Sequence, residues 1–436
     1  MKRKLSILLV LLLIMSAFAG CGGGNTSGGG NGSQSGGEGN GAVGFDGVFK
    51  VGAIYPTSGN NALLGNQCLD AVKIAIGYVN AEGGVHGMEV QLFTADAPDP
   101  TAATTEAGRL IDREEVQVIF GSLSSGNALA IAGVTERSGV ALVESGGILD
   151  DLTESGHKNV FRILDKSSRR AAVGVEYVGN VLAGMLGIDV EDLKIAIIHE
   201  DSGYGTSVAD GAENKASEMG MRIVARESYN VSIADMSPLV LRIKNAKPDV
   251  LISVNYVDDA VLLADTLKQY EAMPKVFMGC GAGTTNPAFA STIGDYSEGM
   301  FCTDMPTNLP IDTYNSDSAL KATIENFRAD FLAIHADIGD FPTIAAEAAF
   351  TGAYTFLHNI LPNATSLDAA GIREAALSTK LPMTGLGFGW DIGEDGQNKV
   401  AAANINQWQG GKVVTIAPDK FSNGTVINVP LPEAKI

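Results

Sequence analysis

The chain has 436 residues and a net charge of −20, from 30 basic and 50 acidic side chains. An apolar content of 45% with 18% charged residues supports real cores and excludes wholesale disorder, and the length suggests two or three domains. No basic stripe is present to displace phosphate counterions, which argues against nucleic acid, and the acidity disfavours electrostatic docking on anionic lipid.

Lys2, Arg3 and Lys4 precede an apolar run from Leu5 to Phe18, then Ala19-Gly20-Cys21. That run is shorter than the roughly 20 apolar residues that cross a bilayer as a helix, so it reads as a secretory signal over residues 1–20. The small residues before Cys21 resemble the lipobox of bacterial lipoproteins, whose cysteine is lipidated; Phe18 departs from the usual leucine. The alternative is an ordinary signal peptide in which Cys21 is incidental. From Gly22 to Gly44, 12 of 23 residues are glycine, and most others are Ser, Asn or Thr. Burial cannot offset the ordering entropy of such a stretch, so residues 21–46 are expected to form a lipidated tether spanning about 25 Å. Without the three basic residues of the signal the net charge becomes −23.

The folded part begins with an apolar strand, Phe49–Ile54, and a turn over Tyr55–Gly59. Leu64, Cys68, Ala71, Val72, Ala75, Ile76 and Val79 recur at helical spacing until Gly83-Gly84. Strand Met88–Thr94, helix Thr101–Arg113, strand Val116–Phe120, helix Asn127–Ser138, and strands Val140–Val143 and Val160–Ile163 follow. The alternation restarts after Ser168: helix to Leu186, strand Lys194–His199, helix to Met219, strand Met221–Tyr229, helix Met236–Ala246, strand Asp249–Val254, helix Asp258–Tyr270 and strand Lys275–Met278. Strand Met300–Thr303 precedes helices Leu320–Ala336, Ile344–Leu361 and Asp368–Leu377. The C-terminal segments Gly385–Trp390, Val400–Trp408 and Lys412–Ile416 are β-like. Repeated β-α alternation with short links predicts an α/β fold of two doubly wound lobes, each a parallel sheet covered by helices on both faces.

Several stretches, in order, resemble the branched-chain amino acid (Leu/Ile/Val) substrate-binding proteins of bacterial ABC transporters, which have the type I periplasmic-binding fold. They are Val51–Gly59, Val79–Gly87, Val118–Gly126, Asn159–Ile163, Tyr204-Gly205, Ser297–Met300 and Trp390–Gly396. The resemblance covers Phe49 to Pro418 and implies two lobes joined by three crossings that close on a ligand. It places lobe 1 at 47–165 and 303–384, and lobe 2 at 166–302 and 385–436, with crossings near Asp165, Cys302 and Gly385. It also implies permease and ATPase partners, a monomeric receptor and no cofactor.

The site follows from the resemblance, residue by residue. Ser125 aligns with the serine that holds the ligand carboxylate, and Gly126 lies in the helix start beside it; helix starts favour anions. Alternatively, Ser125 only caps its own helix. Gly146 and Ile148 take positions where relatives use backbone groups and a threonine hydroxyl, and Ile148 lacks that hydroxyl. Glu144 reads either as a partner for a cationic group or as a solvated rim residue. Tyr204 and Tyr256 match lobe 2 aromatics that pack on ligand, or else simply cover helix starts, and Leu64 stands where relatives place an aromatic. Gly281 replaces the glutamate that pairs with the ligand ammonium. Either Glu144, Asp258 or Asp259 substitutes for it, or the ligand is a carboxylate without the amino group.

No G-x-S-x-G elbow, P-loop, H-E-x-x-H or metal-spaced Cys/His cluster supports an enzyme or a metal centre. His86, His157, His199, His335 and His358 lie scattered and read as structural or surface residues. A sensory subunit on the same fold is the remaining rival. Cys280 and Cys302 are expected near each other, where a disulfide can form in an oxidising compartment, and Cys68 is expected unpaired.

Overall fold

The computed structural model describes residues 45–306, 309–336 and 338–436. The signal run, Cys21 and the Gly-rich tether lie outside the described residues. No described helix is long and apolar enough to cross a membrane.

Two sheets organise the chain. The first holds β1 (Val48–Tyr55), β2 (Glu89–Asp96), β3 (Val118–Gly121), β4 (Ala141–Glu144) and β5 (Val160–Arg162), in the order β2-β1-β3-β4-β5 and parallel throughout. The second holds β6 (Lys194–Glu200), β7 (Arg222–Tyr229), β8 (Val250–Val254), β9 (Val276–Cys280), β10 (Phe301–Asp304), β11 (Asn404–Gln409) and β12 (Lys412–Ala417). Its order is β12-β11-β10-β9-β8-β6-β7. The strands from β6 to β10 run parallel, whereas β11 and β12 are antiparallel. The second sheet is therefore mixed, because a two-glycine turn at Gly410-Gly411 joins β11 directly to β12 without a crossover helix.

Strands such as β3, β4, β8 and β9 are buried at every position, as expected where helices cover both faces. The helices start on local signals. Asp99 accepts from Ala102 N ahead of Pro100, and Ser124 accepts from Asn127 N, so that helix runs Ser125–Ser138 and begins two residues before the expected Asn127. Helices 62–81 and 344–354 cover one face of the first sheet; 100–112 and 125–138 enclose a separate apolar cluster on the other. The second sheet is built alike, with 167–177 and 203–218 on one face and 237–246 and 257–269 on the other.

The chain passes between the sheets three times: after β5, after β10 and before β11. The last passage lies beyond the expected Gly385. Trp390 Nε1 donates to Ala376 O at 2.9 Å, and Arg162 bonds Gln397 through both backbone bridge and side chain, so residues to Asn398 still pack beside β5. The expected strand Gly385–Trp390 does not form; only Trp390 bridges, to Leu381. Its alternating Leu386, Phe388 and Trp390 are buried one by one as core plugs.

Cys280 and Cys302 do stand on adjacent strands, but in register Cys302 faces Gly279 and Cys280 faces Thr303. Successive strand residues point to opposite faces, so the two thiols lie on opposite sides of the sheet. Both are free, as is Cys68, and burial raises all three thiol pKa values, that of Cys280 to about 11.

Candidate functional site

The carboxyl ends of both sheets meet around one cavity lined from both lobes. The first lobe contributes Leu64, Ser125, Gly146 and Ile148, and the second contributes Tyr204, Tyr256 and Gly281. Seven of the residues expected at the site are thus brought together. Outside it lies a wider space of about 1150 Å³ that shares Leu64 and Tyr256 and reaches Asp258 and Asp259.

Ser125 is buried, and its Oγ accepts from Ile148 N and Leu149 N, both at 3.1 Å. The hydroxyl therefore ties two loops together and keeps its single O–H free to donate into the cavity. Ser124, not Ser125, caps the helix. The Ile148 N–H expected to meet a ligand is already spent on Ser125. The Gly146 N–H is likewise spent, on Glu144 Oε1 at 2.7 Å. A Cβ on Gly146 would collide with the Leu123 backbone, so only glycine lets the loops after β3 and β4 approach this closely.

Glu144 is not a solvated rim residue. It is fully buried at the end of β4, outside the cavity lining, and its Oε1 accepts from Ser122 N, Gly146 N and Gly147 N at 2.7–2.8 Å. Its Oε2 is buried without a partner. Burial raises its pKa, and the three backbone bonds offset that only in part. Asp258 is exposed at the mouth, while Asp259 is buried and bonded to the Tyr229 hydroxyl, with burial raising its pKa to about 6.

On the second lobe, Tyr204 and Tyr256 pack with ring centroids 5.6 Å apart. Tyr204 Oη donates to Cys280 O at 3.0 Å, directly over Gly281. Gly281 has φ +87°, and a Cβ there would overlap the Tyr204 phenol. A side chain at this position would have to displace the Tyr204 hydroxyl.

Sequence reasoning missed the charged floor. Arg170, on the first helix after the first crossing, lines the cavity and is almost wholly buried. Its Nη2 and Nε reach Asp165 at 2.5 and 3.3 Å, and its Nη1 reaches Asp304 Oδ1 at 2.7 Å. Asp165 belongs to the first crossing and Asp304 ends β10 at the second, so one guanidinium clasps both. Burial works against its charge, but the two carboxylates outweigh burial and raise its pKa. Asn255, also missed, lines the same cavity and donates to Tyr229 Oη at 2.5 Å. The only signal available beforehand was position: Asn255 directly follows β8 and precedes Tyr256.

Among the described residues no cluster of three or more His, Cys, Asp or Glu is arranged to hold a metal ion. A two-walled cavity with hydroxyl and guanidinium donors is suited to capturing a small solute. The family model described as periplasmic binding protein matches residues 48–412. The chain belongs to the periplasmic binding protein family. This is a family of solute-binding proteins rather than enzymes. The Leu/Ile/Val-binding protein homolog 7 of Brucella abortus (strain 2308) is 35% identical over 374 residues, 85% of this chain and 91% of the relative. Among solved structures, a leucine-binding protein from Thermotoga maritima superposes with a TM-score of 0.73 at 21% identity, covering 85% of this chain and 98% of that one. A solute-binding protein of an ABC transporter from R. palustris, in complex with benzoate, gives 0.70 at 17% identity over 88% and 99%. At such identities the structural likeness speaks for the fold.

Proposed function

We propose that this periplasmic binding protein is the extracytoplasmic receptor of an ABC importer. It captures a small apolar carboxylate of branched-chain type between its lobes and delivers it to a membrane permease served by an ATPase. It acts as a monomer, tethered by lipid on Cys21. The observation that carries the reading is the cavity itself, walled by strand ends of both sheets, with the buried Ser125 hydroxyl free to donate at a helix start. The names of the Leu/Ile/Val-binding relatives support the ligand class.

Charge-assisted bonds of this kind are worth about 1.5–3 kcal/mol. Titration calorimetry on the mature chain should find a branched-chain carboxylate that binds, and Ser125→Ala, which also strands Ile148 N and Leu149 N, should weaken it roughly 10–100-fold in a less stable but folded chain. Equal affinity in the variant would remove Ser125 from the site, and a panel without any binder would remove the reading. Globomycin-sensitive processing and membrane fractionation test the tether; a soluble wild-type product would refute it.

A further inference from the structure

The proposed reading leaves open what stands on the α-carbon of the ligand. An α-amino acid brings an ammonium group into the cavity between the lobes, and a buried cation without an acceptor costs several kcal/mol. The second lobe and the crossings should therefore present a carboxylate or carbonyl to it. They present one carboxylate, Asp304, and it is already engaged.

Gly281 stands where the resemblance places the ammonium partner, and the Tyr204 phenol fills the space above it. The nearby carbonyl, Cys280 O, is taken by that phenol. Among the described residues, the cavity lining contains one anion, Asp304, and one cation, Arg170. Asp304 is occupied: Oδ1 accepts from Arg170 Nη1 and Met305 N, and Oδ2 accepts from Thr285 Oγ1 at 2.9 Å. Asp165 is occupied through both oxygens by Arg170. The remaining buried carboxylates at the strand ends are turned into their own loops, Glu144 onto backbone N–H groups and Glu200 onto Ser202 and Gly205. Arg170, by contrast, uses three of its five N–H groups on the two aspartates. Two remain to donate.

We infer that the cavity selects carboxylates that carry no ammonium on the α-carbon, such as α-keto acids of branched-chain skeleton, with Arg170 facing the α-substituent in place of an acid. A keto oxygen accepts from the remaining N–H groups of the guanidinium; an ammonium cannot, and in the lining it meets only Asp304, whose two oxygens already accept three bonds. This rests on the small-carboxylate reading above, and it adds the ligand's α-group and the residue that reads it.

The test is calorimetry on the wild-type mature chain with leucine and with 4-methyl-2-oxopentanoate, which share one side chain and differ at the α-carbon. The keto acid is expected to bind at least 10-fold tighter. Leucine binding as tightly or tighter would overturn the inference and leave the small-carboxylate reading standing. No binding by either, or by any small carboxylate in a thermal-shift panel, would overturn the reading and the inference with it. Arg170→Lys keeps a cation between Asp165 and Asp304 but loses the planar fork. It should weaken the keto acid about 10-fold without improving leucine, and unchanged keto-acid affinity in a folded variant would dismiss Arg170. If that variant does not fold, the wild-type pair alone decides.

Discussion

The ends of β4 and β6 face each other across the cavity and use one device with different completeness. Each strand closes on a glutamate that is fully buried, Glu144 and Glu200, and each glutamate gathers the N–H groups of the loop that carries site residues. Glu144 does so through a single oxygen, which holds the Ser125-facing loops after β3 and β4. Glu200 uses both: Oε2 accepts from Ser202 N at 2.7 Å, and Oε1 accepts from Ser202 Oγ and Gly205 N, both at 2.6 Å. Glu200 thus sets the start of the helix Gly203–Glu218 that carries Tyr204. The difference teaches that a buried acid at a strand end can serve to shape the loop beside the cavity.

Removing either carboxylate should give the largest effect. Glu144→Ala and Glu200→Ala each strand several buried N–H groups, and an unsatisfied buried donor costs about 1–3 kcal/mol. A loss of roughly 3–5 kcal/mol in urea unfolding is expected for both, with ligand binding lost alongside. A variant as stable as wild type would show that the loop holds itself.

The amide substitutions separate the two sites. In Glu144→Gln the carbonyl oxygen keeps all three N–H bonds and the amide nitrogen takes the place of the unpartnered Oε2. In Glu200→Gln one of two accepting oxygens becomes a donor set against a backbone N–H. Glu200→Gln should therefore cost about 1–3 kcal/mol more than Glu144→Gln, and equal costs would break the contrast.

The same pair shows what the amino-acid sequence discloses. The β-α rhythm was legible because parallel strands covered on both faces read as short apolar runs, as in Val118–Gly121 and Ala141–Glu144. The resemblance pointed to Ser125, Tyr204, Tyr256 and Gly281, and all four line one cavity. Glu144 was read as a rim or ligand residue because burial of a lone acid is unusual; the Gly146-Gly147 that follows it, like Gly203 and Gly205 after Glu200, was the available sign of a backbone nest. Arg170 escaped because its meaning lies in Asp165 and in Asp304, 134 residues away. Gly385–Trp390 misled because alternation that looks like a strand can also come from separate plugs into a core. Register decided Cys280 and Cys302, and no local signal reports whether strands pair one residue higher or lower.

The smallest effect expected is one of pH, and it falls on the first lobe's glutamate. Burial beside Tyr55 and Cys68 raises the Glu144 pKa above its ordinary 4.5. A raised acid binds more protons folded than unfolded, so its contribution to stability is fully present below pH 4.5 and is lost as pH rises through the folded value. Asp259 on the second lobe acts in the same sense between its ordinary 3.8 and about 6. Asp96, whose bonds from Ser58 and Thr57 outweigh burial and lower its pKa, acts in the opposite sense. Comparing variant with wild type at each pH cancels these shared terms. Glu144→Gln should thus lose less stability than wild type as pH rises above 4.5 through the folded value, by no more than about 1.4 kcal/mol per pH unit. Glu144→Gln running parallel to wild type across that window would mean that the three N–H bonds keep Glu144 ionised, and that its unpartnered oxygen carries the charge in the dry interior.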